Sequence, residues 1–212
     1  MTGAVRRSAK AARRARPRQV RSVEMRKRLL SGVVELLGRE PGVRPTTQQL
    51  ADHAHVSIGT VYRYFADMDA LIEELRTAAI HDITTSLATG VGRAMDSEPM
   101  AAMVTIVETL VAAFEKHDPV LRVSYSTAEA EFGEAWAEVE EPLVPLARIL
   151  PARLRPDLRY DELDDLVFLT MGATANLCLR IALLRPASSD REALIATAAR
   201  MLLAALVPMD DT

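Results

Sequence analysis

The stretch TTQQLADHAHVSIGTVYRYF, residues 46–65, constrains this chain more than any other. Thr46 with Gln49 three residues later is a capping-box pattern that opens a helix. Leu50, Ala51 and Ala54 give that helix a small apolar face, and it is not expected to run far past His53. A tight turn falls at residues 54–56, and Ser57 then caps a second helix reaching Phe65. At a rise of roughly 1.5 Å per residue the second helix is ~13 Å long, and a helix of that kind fits a DNA major groove ~12 Å wide. Val61 and Phe65, four residues apart, face inward, which leaves Thr60, Tyr62, Arg63 and Tyr64 largely outside. Hydroxyls, phenols and a guanidinium on one short helix suit phosphate and base-edge contacts. Gly59 lets the backbone approach a partner closely. The plain alternative is a small helical hairpin with an ordinary polar surface.

Composition extends the helical reading to the whole chain. Of 212 residues 49% are hydrophobic, aromatics are few, and Ala and Leu abound while Gly is sparse. That balance favours helix over sheet, and no strict alternation of Val, Ile and Thr appears. The fold class is therefore all-α: a three-helix helix-turn-helix domain followed by a helical body. The single cysteine, Cys178, excludes an intramolecular disulfide and fits a reducing cytosol. The longest uncharged run in the C-terminal third, residues 166–179, is too short for a bilayer, which needs about 20 apolar residues. The basic N-terminus lacks the apolar core of a secretory signal. A cytoplasmic protein with no membrane partner is expected.

The net charge of −3 conceals a strong polarity. Of the 26 Lys and Arg, 11 lie in residues 1–30, where Glu24 is the only acid. The remainder carries 15 basic against 28 acidic residues. Such asymmetry suggests a nucleic-acid face on an acidic body. Residues 1–19, rich in Arg, Ala and Ser with Pro17, read as a flexible basic arm. The arm either lies along DNA or is a solvated tail with no fixed partner.

In chain order, a first helix spans residues 22–37, with Leu29, Val33 and Leu36 and their neighbours Leu30, Val34 and Leu37 on a broad apolar face. Gly38, Pro41 and Gly42 end it. Leu30, Val33, Leu50, Val56, Val61 and Phe65 make a plausible miniature core, so residues 20–66 form one domain and 67–212 a second. Asp67 caps a long helix that stops at Gly90. The next helix, residues 97–116, has Pro99 in its first turn and Met103, Val107, Leu110 and Phe114 along one side. Between residues 120 and 156, Phe132, Trp136, Val139, Leu143 and Leu146 track one face, with breaks at Pro142 and Pro145. Glu131, Glu134, Glu138 and Glu141 track another, which reads as a solvated helix face rather than acid–base machinery. A helix from Tyr160 carries Leu163, Val167, Thr170, Thr174, Leu177, Ile181 and Leu184 as a heptad seam. After Pro186, Ser188 or Ser189 caps the last helix. Its Leu194, Ala198, Met201 and Ala205 share one face. These last two helices either bury each other or form a two-fold dimer bundle, and their small-residue faces favour the dimer.

The sequence offers no positive argument for catalysis, and no catalytic residue or cofactor is expected. No phosphate-binding loop, dinucleotide fingerprint or zinc-protease motif occurs. His53 and His55 lack a third ligand, so no metal is expected. Cys178 lies in an apolar helix and reads as inert packing.

The run TTQQLADHAHVSIGTVYRYFADMDAL, within a zone covering about residues 22–75, resembles the TetR family of bacterial transcriptional regulators. The C-terminal body is similar to the family only in helix count, order and its last pair of helices. The resemblance implies a homodimer with a three-helix DNA-binding domain and a ligand-binding C-terminal domain. By position, Thr47 and Tyr62 look like phosphate contacts, with Tyr64 where the family often places another. Gln48, Ile58, Thr60 and Arg63 fall where family members reach bases or nearby backbone, and Gly59 takes a small-residue position. Thr46 and Ser57, at the two helix starts, complete the expected DNA-binding set. Two positions depart from the family pattern. His55 stands where the family usually has Gly, which implies mild strain if its φ is positive. Met68, between Asp67 and Asp69, replaces the usual Lys, so a customary phosphate contact is missing.

The expectation is thus a homodimeric repressor that binds a palindromic double-stranded operator and is released by a small-molecule effector. Met103, Val107, Phe114, Tyr125, Trp136, Met171 and Asn176 are the candidate pocket residues. The alternatives are a DNA-binding regulator without an effector, and a small-molecule-binding helical protein or enzyme.

Overall fold

The computed structural model describes the backbone of residues 3–126 and 141–207, and the side chains of residues 20–124 and 141–207. The described residues are helical with no strand, as the composition predicts. The chain divides into two compact units, Met1–Leu75 and Arg76–Thr212.

The first unit holds α1 (Gly3–Arg39), α2 (Thr47–His53), α3 (Ile58–Tyr64) and the opening turns of α4 (Met68–Ala94). Helix α1 starts far earlier than the expected residue 22, and the backbone of residues 3–19 is helical. Ala4, Ala9, Ala11, Ala12 and Ala15 among arginines are strong helix formers. Low hydrophobicity argues only that these residues build no core, and it leaves that local propensity intact. Leu29, Val33 and Leu37 of α1 are fully buried and recur every fourth residue, which places one stripe of the helix against α2. Leu50, Ala51, Val61 and Phe65 complete this core from α2, α3 and the end of α3. Leu30 and Val56, expected there, are only partly buried. Met68, Leu71 and Ile72 are buried as well, so the start of α4 belongs with this unit.

The second unit contains the rest of α4, α5 (Pro99–Lys116), α6 (Asp118–Ser126), a 3-10 turn (Glu141–Leu143), α7 (Val144–Ala147), α8 (Ile149–Leu154), α9 (Tyr160–Leu184) and α10 (Arg191–Leu206). Helices α5, α9 and α10 pack on one another in all three pairings, with α6 against α5 and α9. Gly90 does not end α4. A Cβ there would lie 2.8 Å from Thr109 Oγ1 on α5, so α5 packs closely on α4 at Gly90, and α4 continues to Ala94. The expected breaks at Pro142 and Pro145 appear as the 3-10 turn and the four-residue α7. Leu143 is buried, Leu146 partly so and Glu141 exposed. Phe132, Trp136, Val139, Glu131, Glu134 and Glu138 lie outside the described residues. Cys178 is fully buried and its Sγ lies 3.9 Å from the Val107 carbonyl oxygen. Burial pushes its thiol pKa up to about 12, which leaves it a packing group with negligible thiolate.

Helix α9 differs from its expected form in two ways. With 25 residues and an 18-residue stretch of mean hydropathy 1.7, it is long and apolar enough to cross a membrane by length and composition alone, although its uncharged core is shorter. A core helix passes the same test, and Leu163, Val167, Ala175, Cys178 and Ile181 are buried within the unit. The expected heptad seam is also divided. Leu163, Val167 and Ile181 point into the core, Thr170 and Thr174 line a cavity, and Leu184 is exposed. Phe168 and Leu169 stand outside at 71% and 66% exposure. On α10, Ile195, Ala198, Leu202 and Leu206 are buried while Met201 is exposed. Its N-cap is Asp190, whose carboxylate accepts from the Glu192 N–H at 2.9 Å. Asp190 prevails over Ser188 and Ser189 because it directly precedes the first helical residue.

Candidate nucleic-acid interface and cavity

The turn between α2 and α3 is built by local hydrogen bonds that the sequence specifies. Thr46 Oγ1 accepts from the Gln49 N–H at 3.2 Å, and Gln49 Oε1 accepts from the Thr46 N–H at 2.7 Å. This is the reciprocal capping box. Helix α2 closes when the His55 N–H donates to the Asp52 carbonyl (3.2 Å) and the Val56 N–H to the Ala51 carbonyl (2.9 Å). That pairing is a Schellman motif, which needs a left-handed residue just past the C-cap. His55 supplies it with φ of 51°, at a cost of about 1–2 kcal/mol for a residue with a Cβ. Ser57 Oγ then accepts from the Thr60 N–H at 3.2 Å and caps α3. Both ends of α2 and the start of α3 are thereby fixed.

Helix α3 buries Val61, and Phe65 just beyond it is buried too. That anchorage turns Ile58, Gly59, Tyr62 and Arg63 outward, with Tyr62 54% exposed. Thr60 and Tyr64 are partly exposed. Thr46, Gln48 and Ser57 are exposed and Thr47 is half-buried. Gln48 Nε2 donates to Asp52 at 2.9 Å along α2, and the Arg63 guanidinium lies 5.3 Å from the centre of the Tyr64 ring. All ten expected DNA-binding residues thus sit on α2, α3 or their caps.

Two basic residues near this surface serve the fold. Arg26 donates to Glu74 at 3.0 Å and to the Tyr64 carbonyl at 3.3 Å, and its guanidinium lies 4.4 Å from the Phe65 ring centre. Arg44 forms an ion pair with Asp69. His53 Nε2 is 2.8 Å from Glu35 Oε2 and ties α2 to α1. By sequence Arg26 counts only toward the basic N-terminal charge. Its acid partner 48 residues away reveals the structural role. Met68 is 7% exposed, so this position is committed to packing, and Asp67 caps α4 through the Ala70 N–H at 2.8 Å.

The second unit encloses a cavity whose empty volume, including its open mouth, is about 680 Å³. Its walls are Leu87 and Val91 of α4, Met103, Ile106, Leu110 and Phe114 of α5, and Leu143, Leu146 and Leu150 from the turn, α7 and α8. Thr170, Met171, Thr174 and Ala175 of α9 and Leu202 and Leu206 of α10 close it. Met103, Phe114 and Met171 are therefore in place as expected. Val107 is fully buried but does not line the space. Asn176 is exposed, one helical step past the lining pair Thr174–Ala175. Trp136 and the Tyr125 side chain lie outside the described residues. The most informative lining residues absent from the sequence-based set are Thr170 and Thr174. Two hydroxyls four apart on an apolar helix share one face, and that same spacing also fits a dimer seam.

The described residues form a capped helix-turn-helix and a helical body that holds an apolar cavity. Residues 29–75 match the model of the family described as bacterial regulatory proteins, tetR family. The fold is similar to a putative TetR-family transcriptional regulator from Mesorhizobium loti, with a TM-score of 0.63 at 15% identity over 87% of this chain and 97% of that one. It is also similar to the TetR family regulator PfmR from Thermus thermophilus, with a TM-score of 0.55 at 15% identity over 83% and 97%. Thermus thermophilus FadR, a TetR family transcriptional repressor in complex with lauroyl-CoA, gives a TM-score of 0.56 at 19% identity over 87% and 96%. At these identities the likeness shows the fold. No curated protein matches the chain. Residues 29–75 thus match the tetR family model, and the fold is that seen in TetR-family transcriptional regulators.

Proposed function

We propose that this protein is a homodimeric, cytoplasmic repressor that binds a palindromic operator and leaves it when a small molecule occupies the second unit. The observation that carries the DNA-binding half is α3. Its inner side is anchored by Val61 and Phe65, and its outer side offers Ile58, Gly59, Tyr62 and Arg63 within the segment that matches the family model. One such helix per subunit enters a major groove, and a two-fold axis dictates a palindromic site. Thr47, Tyr62 and Tyr64 contact phosphates. Gln48, Ile58, Thr60 and Arg63 reach bases or adjacent backbone, with Thr46 and Ser57 holding the helix starts.

The cavity supports the effector half. It is concave and largely apolar, as small-molecule sites are, and the similar FadR was captured with lauroyl-CoA. Coupling between such a ligand and DNA is typically 1–3 kcal/mol, or 5–150-fold in affinity. The dimer is proposed through α9 and α10, which leave Phe168, Leu169 and Met201 exposed.

The test is binding to duplexes selected from the genome by the protein itself. Tyr62→Phe combined with Tyr64→Ala should weaken duplex binding by at least about tenfold, the loss of on the order of 1.4 kcal/mol. Sedimentation and thermal melting should stay unchanged. Undiminished binding by the double variant would refute the assignment of α3 as the reading helix.

A further inference from the structure

We infer that the ligand of the cavity in the second unit is an uncharged, predominantly apolar molecule whose polar end donates a hydrogen bond, and that anions are selected against. This deepens the effector reading and rests on it. Among the described lining residues the only oxygen-bearing side chains are Thr170 and Thr174, and there is no Lys, Arg or His. Both hydroxyl protons are already engaged. Thr170 Oγ1 donates to the Leu166 carbonyl at 2.7 Å, and Thr174 Oγ1 donates to the Thr170 carbonyl at 2.7 Å. What the two oxygens retain is lone-pair capacity, so they act toward a ligand as acceptors.

A carboxylate or phosphate is also acceptor-only, and it would meet these oxygens without a proton between them. It would lose hydration with no countercharge, a penalty that apolar walls do not offset. None of the described lining residues carries a charge of either sign, so a cation would be no better matched. A hydroxyl or amide N–H carries the needed proton at no charge, and its hydrocarbon remainder is matched by Leu110, Phe114 and Leu202 on the opposing helices.

The experiment uses the full chain and four probes of equal chain length: decan-1-ol, decyl methyl ether, decanoate and decylammonium. Affinity is read by calorimetry and by shift of the melting temperature. Decan-1-ol should bind most tightly, and better than the ether by about five-fold, the value of one neutral hydrogen bond. In Thr170→Val with Thr174→Val, which preserves side-chain shape, alcohol and ether should bind alike. Decanoate or decylammonium binding as tightly as the alcohol overturns the inference, as does an alcohol no better than its ether in the wild-type chain. Failure of every probe to bind also overturns it. Release of DNA is measured separately with duplexes the protein has already been shown to bind. If the alcohol binds with the stated preference and the DNA stays bound, the ligand class stands and the effector reading falls.

Discussion

Gly59 occupies a helix of only seven residues, where a side chain would meet nothing nearer than Ser57 Oγ at 4.0 Å. Glycine inside a helix costs roughly 0.5–1 kcal/mol relative to alanine, and neither packing nor φ demands it here. The proposed DNA contact, with the backbone approached closely, would supply that demand. Gly59→Ala should therefore raise the stability of the free protein by roughly 0.5–1 kcal/mol while lowering duplex affinity about tenfold. Thermal melts and anisotropy titrations on the same preparation would show the two effects moving in opposite directions. A variant that is stabilised and binds DNA as before would remove the close-approach argument. His55 is the converse case. Its φ of 51° is required by the Schellman turn, so its strain serves the fold. Gly59 is legible from residue type, because backbone preference is a local property, whereas His55 stands out only against the family pattern and its φ comes from the structure. The fate of Met68 is not legible from residue type. The same side chain reads as a missing phosphate contact in sequence and as part of the core in the structure, since burial depends on Leu71, Ile72 and the elements they pack against.

Among the elements of the second unit, α4 and α5 are joined at a charged point as well as at Gly90. Asp82 of α4 accepts from Lys116 Nζ at 2.8 Å and contacts His117 Nε2 at 2.9 Å. The hydrogen bond from Lys116, followed by that from His117, holds the Asp82 carboxyl below its usual range. The native state therefore binds this proton less readily than the unfolded chain. The stabilisation is present above the unfolded value of about 3.9 and is lost as pH falls through the lower native value. Asp82 is more than a third exposed, so solvent screening keeps the effect below about 1 kcal/mol. Asp82→Asn should destabilise the protein by that modest amount at pH 7, and the deficit should shrink below about pH 4. Denaturation of both proteins across that range checks the sign. An equal deficit at both ends would assign Asp82 to packing. The elements themselves are largely readable from sequence: α2, α3, α5 and α9 begin within about two residues of the caps and prolines that predict them. Helix α1 is not, because alanine-rich propensity and low core-forming content pull the reading of residues 3–19 in opposite directions.

At the scale of the whole molecule, charge and assembly are separate questions with separate tests. The 11 basic residues among the first 30 include Arg26, which is bound to Glu74, whereas Arg21, Lys27 and Arg28 are exposed. If the protein binds DNA as proposed, the basic segment ahead of residue 19 would supply the phosphate contacts that Met68 does not. Removing residues 1–18 should lower duplex affinity and reduce the salt slope by about 0.9 for each phosphate the segment neutralises. An unchanged slope would exclude the segment from DNA binding. For assembly, Phe168 and Leu169 present adjacent large apolar groups on α9. Replacing both with Glu should yield a folded monomer by sedimentation and weaken duplex binding. A variant that remains dimeric would move the interface elsewhere.

The sequence by itself determined the all-α class, the capped hairpin with its outward-facing Tyr62 and Arg63, and the apolar character of the body. Each follows from interactions spanning a few residues: caps, periodicity and propensity. Only the tertiary structure decided that Met68 is core, that Arg26 is tied to Glu74, that Gly90 is a crossing point rather than a helix end, and that Thr170 and Thr174 face a cavity while Asn176 faces out. On a helix apolar on several sides, such as α9, periodicity marks the candidate faces. Contacts with α5 and α10, distant in sequence, choose among them, and burial is a property of those contacts rather than of the residue.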